Sequence, residues 1–186
     1  GYPPIEDVAR PELRLAGLRI DPKNNGQSRV SHYDGLTLKR VDNGHEEDVK
    51  GLPDGARIGQ GHWSPDGSHF AFSVTGGTGI ALWICEVATG VARPIDGIAL
   101  NCIWGTPLVW LPDSSGLMVR TISDDRGALP EVSTIPDGPV IQENIAQTAP
   151  SRTYQDLLKN AHDEATFEYY CMTQVVCAGL DGTIEK

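Results

Sequence analysis

The sequence predicts an all-β protein, an incomplete β-propeller of about three four-stranded antiparallel blades with a helical insertion in the last. Three observations lead there. The 21 glycines and 13 prolines fall at turns rather than in low-complexity tracts, as a chain with many reversals requires. Runs of strand formers, such as residues 80–87, stand between those turns. A turn motif also recurs: Trp63-Ser64-Pro65-Asp66-Gly67 is echoed some 47 residues later by Trp110-Leu111-Pro112-Asp113-Ser114-Ser115-Gly116. One copy describes a hairpin, but two at that spacing mark a repeat architecture.

Each copy reads as strand, tight turn, strand. Proline presets φ at the second turn position, aspartate bonds back to the backbone, and glycine takes the left-handed position. The tryptophan before the turn is large enough to pack between neighbouring sheets. Around the first copy a whole unit is legible: strands at 57–64, 69–75 and 80–87, then 91–95, where Pro94 is tolerated only at an edge. That is a four-stranded antiparallel blade. The next unit places its inner strand at 101–104 and 108–111 and its second at 117–122. A Pro- and Gly-rich excursion over 123–151 follows. Residues 153–170 carry a helical signature capped by Ser151 or Thr153, which Asn160-Ala161-His162-Asp163 is able to split in two. Strands resume at 173–180 and after Asp181-Gly182. The opening unit supplies strands at 18–21, 31–41 and 45–51, with a polar loop over 22–29. The chain thus divides into a partial blade (1–52), a full blade (53–97) and an expanded blade (98–186, insertion 123–172). Three blades cannot close a ring, so a larger domain is expected.

Composition excludes several roles. With 25 acidic against 15 basic residues the formal charge is −10, the wrong sign for nucleic acid or an anionic membrane surface. No apolar run reaches the roughly 18 residues of a membrane-spanning helix. The opening Gly1-Tyr2-Pro3-Pro4 is not a signal peptide, and without methionine it reads as a processed or truncated start. Cys85, Cys102, Cys171 and Cys177 lack zinc-site spacing and are expected as buried free thiols. Neither a metal nor a cofactor is expected.

Several longer strings resemble one family. They are residues 9–21 (ARPELRLAGLRID), 25–29 (NGQSR), 51–56 (GLPDGA), 63–67 (WSPDG), 153–159 (TYQDLLK) and 163–170 (DEATFEYY), with Thr173-Gln174 beyond. In this order they are similar to the amino-terminal region of the glutamyl endopeptidases, a chloroplast and bacterial branch of the prolyl oligopeptidase family. The resemblance implies a serine peptidase: a propeller that restricts access for peptide substrates, followed by an α/β-hydrolase domain with a Ser, Asp and His triad. It also implies cleavage after glutamate, the rest of the same polypeptide as partner, and a chloroplast, periplasmic or secreted setting. No residue here matches the family's catalytic residues.

The candidates for chemistry are therefore few. No G-x-S-x-G occurs, since residues 26–30 and 66–70 both fail at the second glycine. Ser68 with His69 invites a nucleophile and base, but neighbours on a strand point to opposite faces, and the site is a turn exit. His62 and His69 flank a hairpin and are read as packing residues. Asp124-Asp125 and Glu46-Glu47-Asp48 are read as solvated turns and edges. The loop 24–29 is the best local candidate for binding. In it Asn25 and Arg29 are candidate substrate-binding residues, Arg29 through a guanidinium fork suited to a carboxylate. Arg126 and Arg152, which bracket the insertion, are the alternatives. The competing function is a non-enzymatic propeller serving as a binding platform for protein partners.

Overall fold

A computed structural model describes residues 9–131 and 156–186. Their centre is two four-stranded antiparallel meanders lying face to face. The first joins β6 (Arg57–Trp63), β7 (His69–Thr75), β8 (Ile80–Glu86) and β9 (Val91–Ala99) in chain order. The second joins β10 (Leu108–Trp110), β11 (Gly116–Ile122), β12 (Thr173–Gly179) and β13 (Ile184–Glu185) in the same way. These are two consecutive propeller blades. Alternation explains the shared core: Leu82, Ile84 and Ala71 point from one sheet onto Leu117, Val119, Val176 and Ala178 of the other. The opposite face of the first sheet carries Phe72, Val74, Cys85 and Ala92. The opposite face of the second leaves Val109, Met118 and Val175 exposed.

Sequence-based expectation and structure part company in several places; β9, for one, runs four residues past the expected 91–95. The opening segment is not one sheet. β1 (Leu13–Leu15), β2 (Leu18–Asp21) and β3 (Gly26–Gln27) form a three-stranded sheet, whereas β4 (Thr37–Lys39) and β5 (Glu46–Asp48) form a separate hairpin. That hairpin covers the first blade's apolar face through Leu36, Leu38 and Val49. Gly51 makes the close approach possible: its φ of 85° is left-handed, and a side chain there would run into the Ala92 carbonyl.

The inner strand of the second blade is also shorter than expected, because 101–104 forms a turn held by Asn101 rather than a strand. The insertion's helix, α1 (Ala161–Cys171), begins only at the proposed split. Asn160 caps it, its Oδ1 accepting the Asp163 N–H at 2.8 Å. The caps expected at Ser151 and Thr153 lie outside the described residues, and 157–159 are not helical. Finally, the second turn places Ser114, not Gly116, in the left-handed position (φ 62°), while Gly116 begins β11.

Pro94 does sit on an edge strand, opposite Trp83. The turns also use aspartate as anticipated: Asp66, Asp113 and Asp181 each accept the backbone N–H and hydroxyl of a Ser or Thr two residues on.

Candidate functional site

The loop after β2 is organised by its own polar side chains. Asp21 accepts the Lys23 N–H and the Asn24 amide, each at 2.9 Å, and Asn24 in turn accepts the Gly26 N–H at 3.1 Å. Asn25 takes a left-handed φ of 58° and is buried. Its amide donates to the Tyr170 carbonyl at 3.3 Å, and its oxygen accepts from Arg126. Asn101, wholly buried, donates to the same carbonyl at 3.0 Å and to that of Met172 at 3.3 Å. The last carbonyls of a helix have no partner within it, so two asparagines from different loops fasten the end of α1. Arg126 completes the node with its guanidinium 4.2 Å above the Tyr169 ring.

Of the predicted binding residues the structure therefore brings Asn25 and Arg126 together. Arg29 lies apart, its Nε donating to Glu12 at 3.0 Å. Glu12 also accepts from Ser28 (2.5 Å), Arg14 (3.1 Å) and Arg19 (3.4 Å). The Ser28 bond, then the Arg14 and Arg29 guanidinium groups, hold the Glu12 carboxyl below its ordinary pKa against the opposing pull of partial burial. Arg152 lies outside the described residues.

A cleft next to this loop was not anticipated. It encloses about 210 Å³ between the loop, the inner strand β6 and the turn before β10, and Asn24, His32, Arg57, Gln60, Thr75 and Cys102 are among its walls. A neighbouring hollow of about 180 Å³ shares Asp21, Asn24 and Arg57, and adds Arg10 and Lys23. Arg57 donates to His32 Nδ1 at 3.4 Å, and His32 Nε2 lies 3.3 Å from the Thr75 hydroxyl. Because arginine only donates, this contact uses His32 Nδ1 as the acceptor. Burial pushes the Cys102 thiol up to about 12, partly countered by Arg120, so it is no nucleophile. Arg57 carried no motif in the sequence. Only its place at the start of an inner strand marked it.

One exclusion needs a different reason. Ser68 Oγ and His69 Nδ1 are 2.7 Å apart, because Ser68 belongs to the turn and strand alternation does not yet apply. The pair is nonetheless no charge-relay system. The carboxylate of Asp66 contacts the serine hydroxyl (2.8 Å), not the far side of the imidazole, and the backbone N–H groups of Ser68 and His69 donate to the turn side chains of Asp66 and Ser64. The Ser64 hydroxyl first, then Ser68, hold Asp66 far below the usual carboxylate range. His62 and His69 lie out of register, His62 opposite Ala71 and His69 bonded to Ser64. The acidic runs pair with surface lysines: Glu46 with Lys39, Glu47 with Lys50, Asp124 with Lys186.

The two stacked meanders define the class, a β-propeller segment. No family model matches the chain. It is 41% identical over 197 residues to an Arabidopsis thaliana protein named "Probable glutamyl endopeptidase, chloroplastic", an alignment covering 99% of this chain and 20% of that protein. The Oryza sativa subsp. japonica protein of the same name is 43% identical over 198 residues, with 98% and 21% covered. The chain thus spans about a fifth of the length of these curated relatives. Among solved structures, one from an analysis of two prolyl endopeptidases shares 20% identity at a TM-score of 0.40, over 64% of this chain and 18% of that one. TolB from Acinetobacter baumannii shares 19% at 0.37, over 48% and 21%.

Proposed function

We propose that this chain is the non-catalytic propeller portion of a serine endopeptidase of the glutamyl endopeptidase type. In this reading it walls off a hydrolase domain encoded outside the stretch and restricts entry to peptides and unfolded segments. The observation that carries it is identity above 40% along practically the whole chain to two proteins of that name. Two structural features support it. The Ser68–His69 contact has the wrong order of groups for acyl transfer. The apolar row Val109, Met118 and Val175 on the second blade is left for a further blade of the same polypeptide to cover. Asn25 and Arg126 act here by fixing the end of α1 beside the peptide path, with Arg29 at the surface as a secondary contact.

A fluorophosphonate probe tests the reading. It should label the intact protein at one serine outside residues 1–186, and the protein should cleave peptides after glutamate. Labelling at Ser68, or an intact protein that neither labels nor cleaves, overturns it.

A further inference from the structure

Each arginine singled out by the sequence and described by the structure already has a charge or ring partner: Glu12 for Arg29, the Tyr169 ring for Arg126. Arg57 is different. Among the described residues it has no carboxylate partner, its one hydrogen bond going to the neutral ring nitrogen of His32. It stands on the wall between the two hollows, with Arg10 and Lys23 beyond it. Among the described residues the only carboxylate lining either hollow is Asp21, whose oxygens are engaged by Lys23 N–H and the Asn24 amide. Arg57 and Lys23 beside one occupied carboxylate run against the sign of a chain whose net charge is −10.

We propose that Arg57 is the seat of an acidic side chain of a bound peptide, its guanidinium fork pairing the carboxylate in the 210 Å³ cleft with His32 as flanking support. The cleft has room for one side chain and is smaller than the usual cavity for a whole cofactor. The cleft wall is also an edge strand. Among the described residues β6 has β7 on one side, and on the other a single bridge, between Ile58 and Tyr33. Past that bridge, Gly59 and Gln60 line the cleft, where an extended peptide backbone can lie along them. The assignment rests on the peptidase reading for its choice of ligand, but not for the site.

The test uses the intact protein and two fluorescein-labelled pentapeptides with a cleavage-resistant reduced backbone, identical except for one glutamate or glutamine. Anisotropy should show the glutamate peptide binding at least tenfold tighter. Arg57→Gln should bring the ratio near one, and Arg57→Lys should keep a few-fold preference. Unfolding temperatures of the variants matching wild type show that the change is local. Equal binding of the two peptides by wild type overturns the subsite, and so does an undiminished ratio in Arg57→Gln. Displacement of the glutamate peptide by inorganic phosphate as readily as by glutarate overturns the carboxylate assignment. Failure of the intact protein to cleave any peptide counts against the peptidase reading instead and leaves the binding comparison standing.

Discussion

At the scale of single residues, the polar groups that matter most here face inward. Glu12 gathers three arginines and a serine hydroxyl while its side chain is only 11% exposed, so it ties β1 and β2 to the loop that carries Arg29. Its pKa is lowered in the folded state. It therefore contributes stability that is complete above the ordinary glutamate value of 4.5 and is lost as pH falls through the folded value. Hydrogen exchange corrected for intrinsic rates should show the β1 and β2 amides losing protection as pH drops from about 6 to about 3. In Glu12→Gln that protection should already be weak and nearly independent of pH, whereas a pH response equal to wild type would refute the role. The carboxylate that Arg29 meets belongs to Glu12, 17 positions away in the chain. Pairing across that distance depends on how the first sheet folds, which no local pattern encodes.

The elements were legible where periodicity and punctuation agreed. β6, β7, β8 and β11 follow alternation between turn signals, and the structure places them within a residue or two of the expected bounds. The helix was legible as a pattern but not in its start. Its first certain cap is Asn160, whose oxygen holds the Asp163 N–H while Asp163 accepts the Lys159 N–H. Asn160→Ala should cost about 1 kcal/mol, measured as roughly fivefold faster hydrogen exchange in the first turn of α1 with the blades unaffected. Unchanged exchange would show that α1 is held by the fastening of its far end alone. The opening sheets were misjudged for a physical reason. Strands of two or three residues carry too little alternation to reveal their partners, and hydrogen bonds with Ile58, Gly90, Ala92 and Cys102 settle their places instead.

Over the whole molecule, the repeated turn motif has one local form and two surroundings. Trp110 sends its Nε1–H to the His62 carbonyl at 2.9 Å, stitching the second blade to the inner strand of the first. Trp63 holds the equivalent position on the first blade and packs at a tilt against Phe70, yet it is 53% exposed because the small β4–β5 hairpin does not reach it. Trp110→Phe should weaken the union of the blades by about 1 kcal/mol, seen as faster exchange of β6 and β10 amides. Trp63→Phe should leave those amides unchanged, and equal effects from the two would contradict this division of labour. The architecture could be read because blades repeat. The cleft at Arg57 could not, since it arises where three separate segments converge and none of them announces it.

The insertion also imposes an order of events on synthesis. β11 pairs along its full length with β12, yet about fifty residues separate the two strands in the chain. At ribosomal speeds of about 5 to 20 residues per second, β11 waits roughly 3 to 10 s for its partner. During that interval Leu117, Met118 and Val119 lie along a strand with one bare edge, while the first blade is already whole. A nascent chain stalled between residues 123 and 172 is accordingly the form of this protein most prone to aggregate and most in need of a chaperone.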